Sequence, residues 1–243
     1  MPRFFVSKEE IGESFMVLTG ENAAHAKVLR LKNGDEVTVC DADGTDYQCT
    51  VSDVADGQIS LIVHNIAPSE SEAKVSCSIY MAFSKGDKFE HVIQKATELG
   101  ATELICFPSS RCVSKPDDKS ITKKLDRWQK IAASAAEQSH RGKIPTVLSV
   151  PSYDAALKRA AQADLAVCFY ENENDLTFRK AIEEAPFQTA AILTGPEGGF
   201  STQEIEQAEK AGLKICTLGS RILRCETAPL CALSALMYAC GEF

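Results

Sequence analysis

Apolar and polar positions follow two different patterns along the chain, and the pattern changes near residue 70. The first 68 residues carry short apolar runs separated by turns that contain glycine, asparagine or aspartate, which is typical of short β-strands. Asp56-Gly57 is a strong hairpin signal between the last two runs. These spacings predict a small β-barrel with one helix at 23–31 and strands at 15–18, 36–40, 47–54 and 58–65.

The second part of the chain alternates strand patterns with helix patterns. In its first helix, Phe89, Val92 and Ile93 share one face, and Asp87 precedes them as a predicted cap. Such alternation predicts a parallel sheet with helices on both faces. We therefore predict a β-barrel domain at 1–68 and an α/β domain at 74–243, joined by a polar linker. The predicted strands are 75–83, 103–107, 165–170, 189–193 and 213–218, and the further helices are 122–138, 176–184, 201–211 and 228–240.

A glycine-rich turn follows the strand predicted at 189–193. Its sequence, LTGPEGGFS, ends in a capping box formed by Ser201 and Glu204 at the start of the next helix. A strand that leads through glycines into a helix leaves backbone N–H groups free and lets a ligand approach the main chain. By itself this motif fits a structural turn as well as a binding loop.

A second loop, GSRILRCETAP at 219–229, follows the strand predicted at 213–218. It places two arginines, a glutamate and a threonine between a strand and a helix, which packing alone does not explain. Both loops are expected at the same edge of the sheet. Neither G-x-x-x-x-G-K-[ST] nor G-x-G-x-x-G opens the domain, which disfavours a nucleotide-hydrolysing enzyme, a dinucleotide enzyme and a Rossmann-type methyltransferase.

The strings LTGPEGGFSTQEI and LGSRILRCETA resemble the cofactor loops of the RsmE family, within the SPOUT class of methyltransferases. HAKVLRLKNGDEV, in the first part of the chain, resembles the PUA-like RNA-binding domain of that family. Cys225 stands where the family pattern has threonine, so this position lacks a hydroxyl group. The resemblance implies a homodimer that uses S-adenosylmethionine to methylate N3 of a uridine in small-subunit (16S) ribosomal RNA. It also implies a trefoil knot in the C-terminal segment.

The two loops supply the candidate site residues. The uridine must lose its N3 proton, and a cation beside the developing charge on O2 or O4 would assist. Arg224 is the first candidate for this catalytic role, followed by Arg111 and Arg141, with Glu226 positioning the arginine or the cofactor. At Gly198 we expect a positive φ, so that a side chain there would block the cofactor. The predicted cofactor-binding residues are Leu193, Thr194, Gly195, Glu197, Gly198, Gly199, Leu218, Gly219, Ile222, Leu223, Arg224, Glu226, Thr227 and Ala228.

Charge adds a candidate RNA surface. The chain has a net charge of −8, yet residues 111–143 hold nine basic residues against four acidic ones, and residues 163–209 hold ten acidic residues against two basic ones. One basic surface on an acidic protein is compatible with an RNA substrate, although a solvated helix face has the same composition. The predicted RNA-binding residues are Arg3, His25, Arg30, Lys85, Arg111, Lys115, Lys123, Lys124, Arg127 and Arg141.

The ten cysteines form no C-x-x-C pair and are scattered singly, as expected for small apolar residues in a reducing compartment. We therefore expect no metal. The N-terminus has no signal-peptide pattern, and the longest apolar run, 228–240, is too short to span a bilayer. A cytoplasmic protein is expected.

The apolar run at 228–240 also predicts a dimer. It has almost no polar face, so we expect this helix, capped by Thr227, to pack against its mate across a two-fold axis. In that case Met237→Asp would give a soluble monomer. The alternative is a helix buried wholly within its own domain.

Two other functions stay open at this point. One is a non-catalytic ribosome-assembly factor that binds RNA, and the other is a SPOUT methyltransferase that acts on a ribose 2′-OH. The glycine loop and the RILRCETA segment count against the first of these.

Overall fold

The computed structural model describes residues 1–55, 57–113 and 116–243, with residue 118 described in its backbone only. The chain divides into two compact units. The first contains Met1–Glu72 and Ala136–Ile144, and the second contains Ala73–Ala135 and Pro145–Phe243. Residues 136–144, which the sequence-based boundary assigned to the second domain, therefore belong to the first unit. Asp56 of the predicted hairpin and the predicted RNA-binding residue Lys115 lie outside the described residues.

The first unit is a curled, half-barrel sheet of five strands in the order β1-β3-β4-β5-β2. Only β1 and β3 are parallel, and register shifts in β4 curl the sheet over one helix. Its core includes Phe4, Leu18, Val37, Val51 and Leu61. The predicted strands are present, whereas the three-residue β1 was too short to be predicted. The elements are β1 (Arg3–Phe5), β2 (Phe15–Leu18), α1 (Gly20–Val28), β3 (Glu36–Cys40), β4 (Thr45–Ala55) and β5 (Gln58–Pro68).

Two arginines with predicted functional roles are buried in ion pairs of the first unit. Arg3 donates to both carboxylate oxygens of Asp46 at 2.6 Å. Arg141 donates to Glu72 through Nη2 at 2.6 Å and through Nε at 3.2 Å. Their side chains are only 6% and 4% exposed. A buried guanidinium that is paired with a carboxylate is not available to a phosphate or a base, so the roles predicted for Arg3 and Arg141 do not fit this structure.

The second unit is built on a six-stranded parallel sheet in the order β11-β9-β10-β6-β7-β8. The predicted combination of a β unit with an α/β domain on a parallel sheet is thus confirmed, and the trefoil knot stays a prediction. The short β8 and α4 were not predicted. The strands are β6 (Ser76–Ala82), β7 (Glu103–Phe107), β8 (Thr146–Ser149), β9 (Leu165–Phe169), β10 (Thr189–Thr194) and β11 (Lys214–Cys216). The helices are α2 (Lys88–Glu98), α3 (Asp118–Gln138), α4 (Tyr153–Ala160), α5 (Phe178–Glu183), α6 (Thr202–Lys210) and α7 (Thr227–Ala239).

The parallel sheet explains why polar loops converge. Every strand of this sheet ends at the same edge, so the loops after β9, β10 and β11 emerge together. However, β9 lies between β10 and β11 and is buried along its whole length. The two loops singled out in the sequence are therefore not neighbours in the sheet, and the loop after β9 emerges between them.

The helix caps agree with the sequence in one case of three. Ser201 and Glu204 form the predicted capping box at the start of α6. Asp87 does precede α2, but its side chain makes no capping hydrogen bond. Glu226 is the residue before α7, so Thr227 begins this helix and does not cap it. None of the helices in the described residues combines the length and the apolar character needed to cross a membrane.

Helix α7 has one buried face and one exposed face, although both are apolar. Met237 is fully buried, and an added Cβ at Gly100 would stand 3.5 Å from its Cε atom. The alternative of a helix buried wholly within its own domain is therefore wrong, and the prediction for Met237→Asp is also wrong, because this change would damage the fold of a single subunit instead of giving a soluble monomer. The buried residues are Pro229, Ala232, Leu233, Leu236 and Met237. The exposed residues are Thr227, Cys231, Ala235, Tyr238 and Ala239.

Replacing Arg141 tests its reassignment to the fold. We expect Arg141→Met to lower the free energy of unfolding by about 3 kcal/mol, because it leaves Glu72 without its cation. Urea denaturation followed by circular dichroism measures this change. In the matched control, Lys143→Met, an exposed side chain is replaced while the backbone N–H that donates to Glu72 at 3.0 Å is kept. Equal stability of the Arg141→Met and Lys143→Met proteins would contradict the assignment.

Candidate active site

A cavity of about 780 Å³ opens at the carboxyl ends of β9, β10 and β11. Its walls come from segments 169–174, 194–200 and 217–225, with Lys88 and Ala228 completing the lining. All of these residues belong to the second unit. The cavity lies where ligands bind in parallel α/β sheets.

Most of the predicted cofactor-binding residues line this cavity. Leu193 does not, because its side chain is fully buried in the sheet core. Glu226 and Thr227 also lie outside the lining. The predicted residues that do line it are Thr194, Gly195, Glu197, Gly198, Gly199, Leu218, Gly219, Ile222, Leu223, Arg224 and Ala228.

The sequence prediction missed Lys88 and the entire loop that follows β9. The last residue of β9, Phe169, and the loop residues Tyr170, Glu171, Glu173 and Asn174 line the cavity. A signal was present, since the polar string ENEND follows directly after a predicted buried strand. In a parallel sheet, that string must emerge at the same edge as the glycine loop.

The glycine loop, residues 195–200, owes its shape to glycines at two positions. Gly199 has φ +65°, and an added Cβ there would stand 2.5 Å from Oε1 of Glu171. At Gly195 a Cβ would lie 3.3 Å from Cα of Gly199, so the loop closes tightly on itself. The predicted positive φ therefore belongs to Gly199 and not to Gly198, whose added Cβ would approach Arg111 at 3.3 Å.

The second cofactor loop, residues 217–226, offers free backbone donors beside apolar walls. Among the described residues, no protein acceptor receives the backbone N–H groups of residues 220–223. Phe169, Pro196, Leu218 and Leu223 supply apolar surface in the same cavity. A slot with apolar walls and a few unpaired backbone donors fits a nucleoside that carries polar substituents.

One lysine lies between two carboxylates at the cavity. Nζ of Lys88 is 3.0 Å from Oε1 of Glu197 and 3.7 Å from Oε2 of Glu226. Burial alone would raise the pKa of Glu197, but hydrogen bonds from the Lys85 N–H and from Lys88 outweigh it and hold that pKa below its ordinary value. Burial also acts to raise the pKa of Glu226, but hydrogen bonds from its own backbone N–H and from Cys225, together with the charge of Lys88, hold it below its ordinary value. Both carboxylates are thus ionised at neutral pH, next to a charged lysine.

Cys225, in the same cluster, is a neutral thiol. Burial, together with its hydrogen bond to Glu226, raises the pKa of this cysteine to about 11. The thiolate form is therefore scarce at neutral pH, and Cys225 is not equipped to act as a nucleophile.

A buried carboxylate supports the glycine loop from behind. Glu204 is 5% exposed, and its carboxylate accepts five hydrogen bonds of 2.7–3.0 Å from Ser109, Ser110 and Ser201. These bonds tie the loop after β7 to Ser201, the residue that directly follows the glycine loop. Burial alone would raise the pKa of Glu204, but the hydrogen bonds from Ser110 and Ser201 lower it.

Arg111 extends this support. Its Nη1 donates to the backbone carbonyls of Gly198 at 3.0 Å and of Phe200 at 3.1 Å. Arg111 is not part of the cavity lining, so the predicted catalytic role does not fit its position. The guanidinium instead holds the carbonyl side of the glycine loop.

The remaining predicted RNA-binding residues are mostly exposed. Arg30 and Lys123 project to solvent, as does Lys85 in the loop after β6. Arg127 is exposed but paired with Glu90 at 2.7 Å, and Nζ of Lys124 lies 5.8 Å from the centre of the Trp128 ring. His25 is partly exposed in the first unit, 3.8 Å from Glu137. In the described part of the chain, no group of three or more His, Cys, Asp or Glu side chains could hold a metal ion.

Comparison with known proteins places the chain in a family. Residues 71–237 match the RNA methyltransferase domain, and residues 18–63 match the RNA methyltransferase PUA domain. Ribosomal RNA small subunit methyltransferase E of Bacillus subtilis is 38% identical, over 98% of this chain and 96% of its own length. The protein of the same name from Mesomycoplasma hyopneumoniae is 35% identical, with 95% and 96% covered.

A solved structure resembles the whole chain. The crystal structure of ribosomal RNA small subunit methyltransferase E from Neisseria gonorrhoeae, bound to S-adenosyl methionine, superposes with a TM-score of 0.88. It is 29% identical, and the match covers 98% of each chain. The chain belongs to the RNA methyltransferase family that includes ribosomal RNA small subunit methyltransferase E, as the loop resemblance indicated.

The hydrogen bonds to the carboxylate of Glu204 lead us to predict that the stability of the protein depends on pH. We expect Glu204→Gln to lower the free energy of unfolding at pH 7 by about 2 kcal/mol, because charge-assisted hydrogen bonds are lost from a buried site. The pKa of Glu204 is lowered on folding, so its contribution is present above the ordinary pKa of 4.5 and is lost as the pH falls through the folded value. The difference between the wild type and Glu204→Gln should therefore shrink in acid.

Urea denaturation at pH 7 and at pH 3.5 checks this expectation. Glu206→Gln, an exposed position on the same helix, is the control and should change stability little at either pH. A difference between wild type and Glu204→Gln that is the same at both pH values would argue against the role assigned to the carboxylate.

Proposed function

We propose that this protein is an S-adenosylmethionine-dependent methyltransferase that modifies N3 of a uridine in small-subunit (16S) ribosomal RNA. The observation that carries the proposal is the cavity between the glycine loop and the second cofactor loop, in a chain that belongs to this family. The uridine N3 target rests on the resemblance of the two loop sequences to the RsmE family. Since the substrate is ribosomal RNA, the proposed location is the cytoplasm.

The cavity suits the cofactor for reasons of shape and polarity. Pro196, Leu218 and Leu223 would face its apolar parts, and the free N–H groups of residues 220–223 would meet its acceptors. When bound, S-adenosylmethionine supplies an electrophilic methyl group on its sulfonium. The remaining task of the protein is to bring the base into line with that group.

Arg224 is the residue proposed to assist the base. It lines the cavity and is exposed to solvent, so a substrate can reach it. Its guanidinium would stabilise the negative charge that develops on O2 or O4 of the uracil as the N3 proton leaves. Arg111 and Arg141 are no longer candidates, since each is engaged elsewhere in the structure.

Exposed and partly exposed basic residues of each unit are proposed to contact the RNA backbone. In the second unit these are Lys85, Lys123 and Arg127, and in the first unit His25 and Arg30. Cationic side chains that meet phosphates release counterions, so RNA affinity should fall as salt rises. Lys124 belongs to the same helix, although its ammonium lies near Trp128.

We also propose that the protein is a homodimer through the exposed face of α7. Tyr238 is 74% exposed, and Cys231 and Ala235 lie on the same face of the helix. No charged side chain occurs anywhere in Thr227–Ala239. An apolar helix face of this kind is suited to a self-complementary interface around a two-fold axis.

Transfer of a labelled methyl group tests the function. Small-subunit RNA from a strain that lacks the gene should accept one methyl group per molecule from S-adenosylmethionine, and mass spectrometry of nucleosides should identify 3-methyluridine. A 2′-O-methylated product would instead favour the ribose-modifying alternative. RNA binding without any transfer would favour a non-catalytic assembly factor.

The glycine loop allows a sharper test of the cofactor site. Gly199→Ala should weaken S-adenosylmethionine binding by at least about tenfold, because the new Cβ strains a positive φ and displaces Glu171. The matched control is Gly212→Ala, which has φ +93° but meets nothing within 4 Å and lies outside the cavity. Titration calorimetry should find a large loss of affinity for Gly199→Ala alone. Similar losses in both variants would mean that general strain is responsible.

The exposed position Tyr238 tests the dimer. Tyr238→Asp should give a folded monomer in light scattering, because a charge cannot be buried in an apolar interface without a partner. Alkylation of the exposed Cys231 should be slow in the wild type and fast in the variant. Gln207→Asp, on the exposed face of α6, serves as the control, and light scattering should give it the same oligomer mass as the wild type. A wild-type protein that is monomeric at micromolar concentration would exclude this interface.

A further inference from the structure

The two cofactor loops have no direct polar link. They follow β10 and β11, which are separated in the sheet by β9. Within the described ranges, no hydrogen bond or ion pair runs between residues 195–200 and residues 217–226. A polar link between the two walls of the cavity would therefore have to come from a group outside both loops.

Lys88 lies within reach of both loops. It is the first residue of α2, which follows β6, and its ammonium reaches both walls. Nζ donates to Oε1 of Glu197 in the glycine loop at 3.0 Å. It also lies 3.7 Å from both Oε2 of Glu226 and Sγ of Cys225 in the second loop.

The surroundings keep this cation in place. Glu197 also accepts the backbone N–H of Lys85 at 2.9 Å, so the glycine loop is held at two points to residues 85–88, at the start of α2 and just before it. The side chains of Lys88, Glu197 and Glu226 are each only 22–27% exposed. In such a partly desolvated site, charge-assisted hydrogen bonds are stronger than at an open surface.

We propose that Lys88 is a positioning residue that fixes the width of the cofactor cavity by joining the glycine loop to the second cofactor loop. This inference rests on the proposed function, since it assigns the link to the same cavity. Lys88 acts through Glu197 and Glu226. The backbone donors of the second loop reach the ligand only when the two walls of the cavity are at the correct distance from each other. Loss of the link should lower affinity for the cofactor, and the chemical step should change little once the cofactor is bound.

Lys88→Met tests the link, because methionine keeps much of the side-chain length and removes the charge. We expect S-adenosylmethionine to bind about tenfold more weakly by calorimetry, the effect of losing one charge-assisted hydrogen bond. In kinetics with RNA, KM for the cofactor should rise by a similar factor while kcat stays within about twofold. Lys88→Arg keeps the charge and should restore affinity to within about threefold of the wild type.

A matched control lies on the same helix. Lys95 pairs with Glu98 at 2.8 Å and does not line the cavity, so Lys95→Met should bind the cofactor as the wild type does. Hydrogen exchange provides a readout without cofactor. Residues 195–200 and 217–226 should exchange faster in Lys88→Met than in Lys95→Met, with the strands unchanged.

The outcomes separate this inference from the proposed function. A wild type that does not bind S-adenosylmethionine overturns both. Wild-type binding with equal affinity in Lys88→Met, or unchanged exchange in the two loops, overturns the role of Lys88 alone. Equal losses in Lys88→Met and Lys88→Arg, with a large fall in kcat, would instead make Lys88 a catalytic residue that contacts the substrate.

Discussion

The cavity depends on one buried carboxylate, that of Glu204. Glycines shape the loop beside it, but a glycine has no side chain with which to hold its own position. Glu204 supplies a restraint next to it, since five hydrogen bonds join the loop after β7 and Ser201, the residue that follows the glycine loop, to one carboxylate. Arg111 adds to this by binding two carbonyls of the same loop. The glycine loop, whose main chain a ligand can approach, is therefore held in place by the hydrogen bonds of Glu204 and Arg111.

The order of the strands in the sheet determines how the loops are arranged around the cavity. Because β9 lies between β10 and β11, the two cofactor loops are held apart by the width of a strand, and the acidic loop after β9 lies between them. A cation, Lys88, reaches across this gap to a carboxylate on each side. Lys88 lies at the start of α2, which follows the strand on the other side of β10, so segments after four strands, β6, β9, β10 and β11, contribute to one cavity.

The sequence allowed us to predict those features whose residues are close together in the chain. The Ser201–Glu204 capping box and the two loops were found because their residues are close in the chain. The roles of Arg111 and Arg141 could not be predicted, since both look like exposed loop arginines until their partners, Gly198 and Glu72, are brought near by the fold. Lys88 was missed for the same physical reason: its partners are more than a hundred residues away. The positive φ was predicted at Gly198 but occurs at Gly199, because it depends on how the loop closes on itself.

Residues 136–144 belong to the first unit, although 63 residues of the second unit, Ala73–Ala135, precede them. Synthesis on the ribosome is directional, and domains generally fold as their residues emerge. The first unit cannot be completed when Glu72 emerges, because Arg141, the partner of that carboxylate, has not yet been made. Its final packing waits for the whole of α3, so the two units fold over an overlapping period. A truncation that removes the first 68 residues would likewise take contacts away from residues 136–144, such as the hydrogen bond from Cys40 to the carbonyl of Gly142, although Glu72 would remain.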